Sequence, residues 1–212
     1  MSKLFEPIKK HYKINRFWHH QKNNQGFCFI HINKCGGTSV EAFFDLPKIH
    51  DTVSQRIAKI GLERWRNNFT FALVRNPYSR VLSHFKYRLK TNQTNLRSAD
   101  LNVNEWIKQA YGDKNPRFYN KPQMFAPCFE WLSYNNEIFV DKWVKLENVA
   151  SEWVNICSET GVDYVPLSKK NTTSDNTIEN AIAQLDQSSL DIINDHFKSD
   201  FETFDYAMVS SK

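Results

Sequence analysis

No stretch of the 212 residues is apolar for the length of a membrane span, and the N-terminus lacks the basic-then-apolar layout of a secretory signal. A soluble cytoplasmic protein with no integral membrane segment is therefore expected. The four cysteines, Cys28, Cys35, Cys128 and Cys157, show no CxxC spacing and no clustering with histidine. They give no signal for zinc and predict thiols kept reduced, with Cys28 inside a buried strand. There is no internal repeat, no low-complexity tract and no Pro/Gly/Ser-rich linker, so nothing argues for cutting the chain. The expected layout is a basic N-terminal extension, 1–25, and a single domain, 26–212.

What is present is the composition of a folded protein: 41% hydrophobic and 14% aromatic residues against 24% charged, enough to bury a sizeable core. The formal net charge of +5 and pI near 8.9 favour anionic partners: a nucleotide, an acidic glycan or nucleic acid. Much of the positive charge opens the chain, where Lys9, Lys10, Lys13, Arg16 and Lys22 alternate with Phe17, Trp18, His19 and His20. A solvated tail or a short packed strand is the plain reading of that segment.

Phe27 to Ile32 is a near-continuous apolar run, as in a strand buried on both faces of a parallel sheet, and a glycine pair ends it. From Thr38 through Phe44 the pattern turns helical, with Thr38 or Ser39 placed as cap. A second strand, Phe69 to Val74, stops at Arg75-Asn76-Pro77, and Pro77 suits the first turn of a helix. Val81, Leu82, Phe85 and Leu89 then form one apolar stripe that leaves Arg80, Ser83 and Lys86 off it. A third strand is expected over Ile138 to Val144. Two strand-then-helix units predict an α/β fold with a central parallel sheet flanked by helices. The Asn-rich stretch from Lys90 to Pro127, broken by Pro116 and Pro122, reads as a covering or substrate-facing insertion, and the closing aromatics Phe197, Phe201, Phe204 and Tyr206 read as core.

Ligands of open parallel sheets sit beyond the carboxyl ends of the strands. After the first strand, Lys34, Cys35, Gly36, Gly37, Thr38 and Ser39 supply a cation, backbone amides, hydroxyls and a helix dipole, all suited to an anion. After the second, Arg75 offers a guanidinium fork and Ser83 a hydroxyl about two turns into the helix. Alone, the glycines read as a tight turn and Arg75-Asn76-Pro77 as a helix start with a surface salt bridge. Together they describe a site for a ligand with two separated anionic groups. The order of residues is not that of the GxxxxGK[ST] loop of P-loop kinases and NTPases, because the lysine precedes the glycines.

Phe29-Ile30-His31-Ile32-Asn33-Lys34-Cys35-Gly36-Gly37-Thr38-Ser39 resembles the 5′-phosphosulfate loop of sulfotransferases that use 3′-phosphoadenosine 5′-phosphosulfate (PAPS). Phe71 to Ser83 resembles their 3′-phosphate element, VRNPYDRxxS. The branch most similar contains bacterial carbohydrate sulfotransferases and the 2-O-sulfotransferases of heparan sulfate. Weaker likenesses follow at Lys48-Ile49-His50 with Thr52, Trp65, Val144 to Asn148, Asn171-Thr172-Thr173 and Asp200 to Tyr206, so the resemblance spans roughly residues 27 to 206. Asn33, Cys35, Lys145 and Asp205 depart from the pattern, standing where the family usually has Pro, Thr, Arg and Gly.

The resemblance implies a P-loop-like three-layer fold and transfer of a sulfuryl group from PAPS to a carbohydrate hydroxyl, with no metal required. Lys34 and the backbone of Gly36 to Thr38 would hold the phosphosulfate, and Arg75 and Ser83 the 3′-phosphate. Asn171, Thr172 and Thr173 would close over the nucleotide, with Lys169 and Lys170 adding charge. His50 is the first choice for the general base, since imidazole titrates near working pH. His31 reads as structural and Glu41 as a lesser carboxylate candidate. Gln123 and Lys121 are candidates for an acceptor cleft, and Trp106, Tyr111, Phe118 and Tyr119 either stack on sugar rings or fill a small core. Two other readings stand beside this one. A nucleotide kinase would use Asp141 at the third strand as a Walker B mimic, and a nucleic-acid-binding module would need a contiguous basic face and has no use for the glycine turn.

Overall fold

The computed structural model describes residues 5–23, 26–168 and 177–210. In chain order the helices and strands are α1 (Phe5–Asn23), β1 (Phe27–Ile30), α2 (Gly37–Phe43), α3 (Val53–Ile60), α4 (Leu62–Arg66), β2 (Phe69–Val74) and α5 (Pro77–Lys90). They continue with α6 (Leu96–Ala99), α7 (Val103–Ile107), α8 (Cys128–Leu132), β3 (Ser133–Tyr134), β4 (Glu137–Ile138), β5 (Lys142–Lys145), α9 (Val149–Thr160), α10 (Ile178–Ile182), α11 (Gln187–His196) and α12 (Lys198–Thr203). Two compact units divide the chain: Met1–Leu73 with Trp131–Lys170, and Val74–Glu130 with Asn171–Lys212. No described helix is long and apolar enough to cross a membrane.

The first unit is built on the expected parallel sheet, in the order β1-β2-β5. β1 and β2 pair from Phe27↔Phe69 to Ile30↔Ala72, so both carboxyl ends fall at one sheet edge. Their near-continuous apolar runs are explained by burial on both faces: Cys28, Ile30, Phe71 and Ala72 are all fully buried. β1 is shorter than its apolar run suggested, and His31 and Ile32 lie beyond its end. Phe43 of α2 and Phe44 just after it meet Trp153 of α9, with ring centroids 5.0 and 5.8 Å apart.

Two expectations change in this unit. The basic opening segment is a helix, α1, held against the unit by specific contacts. Gln21 donates to the Phe27 carbonyl and accepts from Cys28 Sγ and from Arg56, whose guanidinium also faces the rings of Phe17 and Trp18. The expected strand Ile138–Val144 is two pieces. A tight hairpin joins β3 to β4 through Asn135 and Asn136, both with positive φ as such turns require, and β5 begins only after Asp141. The Asp141 carboxylate accepts from the Thr70 amide at 2.7 Å and from the Thr70 hydroxyl at 2.6 Å, which interrupts the strand and ties it to β2.

In the second unit, α5 starts where Asn76 and Pro77 predicted. The Asn76 side chain accepts from the amides of Tyr78 and Ser79, and Pro77 occupies the first turn. Its buried face is wider than the four-residue apolar stripe read from the sequence: Arg80, expected off that stripe, is buried, and so is Arg88. Arg80 lies 3.8 Å from the fully buried Asp200, and Arg88 donates to the Phe118 carbonyl at 3.1 Å. The Lys90–Pro127 insertion is not a cover. It supplies Trp106, Ile107, Ala110, Tyr111, Phe118 and Phe125 to the core that α5, Phe197 and Phe201 complete. All four cysteines are buried, and none forms a disulfide.

Candidate active site

The turn that links β1 to α2 carries the residues of the first anion-binding element. Lys34 has φ 66, the left-handed region that a side chain with a Cβ enters at a cost, and Gly36 has φ 81. Gly36, and not Thr38 or Ser39, occupies the cap position, and no side chain caps α2. The expected hydroxyl cap is absent because the left-handed glycine already turns the chain. Ser39 is buried and donates its amide to the Gly36 carbonyl at 3.0 Å, whereas Thr38 is exposed. Lys34 is half-buried. Cys35 is turned inward, its Sγ 3.6 Å from the Asn33 carbonyl and its amide 3.4 Å from that of Ile32.

The two glycines have different tasks. A Cβ on Gly36 would sit 2.5 Å from the end of the flexible Leu146 side chain, so there the positive φ is the stronger requirement. A Cβ on Gly37 would lie 2.2 Å from Cδ2 and 2.5 Å from Nε2 of His31. The second glycine is therefore a seat for an imidazole.

His50 follows α2 within the same unit and is half-buried. Its Nδ1 is 2.9 Å from the His31 carbonyl oxygen. A carbonyl only accepts, so Nδ1 carries the proton and Nε2 the lone pair, the arrangement a base needs. Burial is the main cause that holds the His50 pKa below the usual imidazole value, followed by the charge on His31; the bond to the His31 carbonyl and the Glu41 carboxylate act in the opposite direction. The neutral, proton-accepting form thus prevails at neutral pH.

The second element, at the start of α5, belongs to the other unit. Arg75 is buried and donates Nε to Ser79 Oγ at 2.9 Å, while Ser79 Oγ donates to the Asn76 carbonyl at 3.1 Å. The guanidinium is thus held in one orientation by its own helix start. Ser83 is half-buried on the same helix.

The sulfotransferase family profile matches residues 16–207. The chain belongs to that family. A solved structure described as a sulfotransferase from Alicyclobacillus acidocaldarius is similar to it at 13% identity, covering 86% of this chain and 99% of that one with a TM-score of 0.42. No curated protein matches this sulfotransferase.

The first unit of the sulfotransferase brings Lys34, Cys35, Gly36, Gly37, Thr38, Ser39 and His50 into one unit, and the second unit carries Arg75, Ser83 and Gln123. Lys169, Lys170, Asn171, Thr172 and Thr173 lie outside the described residues. Gln123 lines a cavity of about 280 Å³ in the second unit, together with Lys114, Tyr119, Pro122, Glu130 and His196. His196 Nε2 donates to the Phe125 carbonyl at 2.9 Å. Burial pushes the Glu130 carboxyl up, aided by the charge on Asp200. Trp106, Tyr111 and Phe118 are core residues, and of the four aromatics only Tyr119 lines this cavity.

Asp141, the Walker B mimic of the kinase reading, is not at the carboxyl end of a strand. It precedes β5, and its carboxylate is committed to Thr70. Two features escaped the sequence reading. Glu41 bonds His31, a contact ten residues apart that neither strand nor helix spacing signals. Asp200, read only as part of a closing motif, accepts the amides of Cys128 and Phe129 at 2.8 Å each and so caps α8.

Proposed function

We propose that this sulfotransferase moves a sulfuryl group from PAPS to a hydroxyl of a carbohydrate acceptor. The observation that carries the reading is the combination, within the first unit, of the left-handed Lys34–Gly36 turn with a neutral imidazole whose Nδ1 proton is committed to a carbonyl. In this reading Lys34 and the backbone of Gly36 to Ser39 take the 5′-phosphosulfate, and Arg75 and Ser83 take the 3′-phosphate. Arg75 suits that task because a buried, oriented guanidinium binds an oxyanion with little ordering cost.

The acceptor oxygen attacks sulfur as the bond from sulfur to the bridging phosphate oxygen breaks. His50 Nε2 takes the hydroxyl proton, and the products are a sulfate ester and adenosine 3′,5′-bisphosphate. The Lys34 ammonium offsets the charge that grows on the leaving oxygen. Positioning and charge stabilisation do most of the work, as in phosphoryl transfer. For the acceptor, the cavity bordered by Gln123 offers an amide, a phenol, an imidazole, an ammonium and a carboxyl beside the flat apolar face of Pro122, a mixture suited to a hydroxyl-rich ring.

Calorimetric titration with adenosine 3′,5′-bisphosphate in EDTA, beside ATP with Mg²⁺, tests the donor. Binding of the bisphosphate at about micromolar Kd without metal is expected of a nucleotide whose phosphates accept charge-assisted hydrogen bonds. Tight ATP–Mg²⁺ binding with none for the bisphosphate would overturn the reading. A screen of glycans and simple alcohols with labelled donor then identifies the acceptor.

A further inference from the structure

The last paired residue of β1 is Ile30, opposite Ala72. His31 follows outside the β1–β2 register, yet three contacts converge on it. Its Nδ1 is 2.5 Å from Glu41 Oε1, and the two side chains are only 5% and 9% exposed. A carboxylate oxygen accepts, so the imidazole donates to α2 and is fixed to that helix. The other side of the ring lies where a Cβ of Gly37 would have to be. The backbone carbonyl of the same residue receives the His50 Nδ1 proton, and the two imidazole rings are 4.3 Å apart between centroids. Side chain and backbone of one residue thus face the α2 turn and His50 at once.

We propose that the buried His31–Glu41 pair is a positioning pair: it locks residue 31 so that the His31 carbonyl holds His50 in its Nδ1–H tautomer, which puts the lone pair on Nε2. Beyond the paired part of the strand, the peptide of residue 31 must be oriented by some other constraint, and the Glu41 bond and the Gly37 seat supply it. Loosening the pair lets the carbonyl turn away. His50 then populates the Nε2–H tautomer, which has no lone pair where the acceptor proton must go. The catalytic consequence rests on the reading of His50 as base; the tautomer consequence does not.

The test uses the full chain labelled with ¹⁵N-histidine, because long-range ¹H–¹⁵N spectra distinguish the two tautomers of neutral His50. The wild type should show Nδ1–H alone, Glu41→Leu a mixture of both forms, and Glu41→Gln, which keeps an acceptor oxygen, a spectrum close to wild type. In turnover, Glu41→Leu should lower kcat by about 10²-fold with donor KM changed less than about threefold, as expected for lost orientation. Added to His50→Ala it should cost nothing more, since both act on one group. If Glu41→Leu does not fold, the double variant His31→Phe with Glu41→Leu leaves no buried charge unpaired and carries the same spectroscopic readout. A single Nδ1–H tautomer in these variants, or losses that multiply with His50→Ala, would overturn the proposal. Should no sulfuryl transfer be found with any acceptor, the tautomer spectra still decide it.

Discussion

Gly37 and His31 fit together because one lacks a Cβ and the other fills the space. Gly37→Ala would press a methyl group to 2.2 Å from the imidazole, and both neighbours are held, the ring by Glu41 and the backbone by α2. Overpacking of this kind costs about 1–3 kcal/mol. Gly161→Ala supplies the comparison: its φ is 70 but nothing lies within 4 Å, so it should cost only about 1–2 kcal/mol for the left-handed backbone. Urea unfolding of the two variants checks both costs, and a Gly37→Ala midpoint equal to that of the wild type would refute the packing argument. For the chemistry, Lys34→Ala and His50→Ala should each lower turnover by about 10²-fold or more, and only the former should weaken bisphosphate binding. Unchanged turnover in His50→Ala would remove that residue from the base role.

Elements whose signals are local were readable from the sequence. An apolar run stopped by Gly-Gly and another stopped by Arg-Asn-Pro gave β1, β2 and the starts of α2 and α5, since burial of both faces, a left-handed turn and a proline-led helix each leave a mark within a few residues. α1 was not readable, because what holds it is Arg56 lying between Gln21 and two aromatic rings, a contact across more than thirty positions. The same holds for the insertion: short helical patterns interrupted by prolines give no hint that Trp106 and Phe125 complete a core around α5. Of the candidate site, the cation and glycine positions were legible but the His31–Glu41 pair was not. Asp141 shows how a nonlocal contact changes an assignment. Asp141→Ala would leave the buried Thr70 amide and hydroxyl without their acceptor, a loss of about 2–3 kcal/mol in unfolding free energy. Bisphosphate affinity should be unchanged, and calorimetry that showed affinity and stability falling together would return Asp141 to the ligand.

Burial depresses the pKa of His50 in the first unit and of His196 in the second. Both donate one ring proton to a backbone carbonyl, of His31 and of Phe125. Each imidazole takes a second proton less readily in the folded protein than in the unfolded chain, since burial opposes the cation and neighbouring positive charge adds to that, from His31 and Lys48 at His50 and from Lys114 and Arg80 at His196. The unfolded chain protonates both at the ordinary value of about 6.5, so below it the unfolded state binds more protons and stability falls with falling pH. Their contribution is fully present above about pH 6.5 and is lost as pH descends through the depressed folded values. Unfolding free energy measured in urea should therefore be level from about pH 8 to 7 and decline below about 6.5, above the range where unperturbed carboxylates titrate. Gln keeps a donor for either carbonyl and cannot be protonated. His50→Gln and His196→Gln should each flatten that decline, and a slope between pH 6.5 and 5 that neither substitution alters would show that other groups control the acid stability. Trp106 is the one tryptophan of the second unit and lies edge-on to His84, so its fluorescence in variants lacking the other five reports that unit by itself, and there His196→Gln should act and His50→Gln should not.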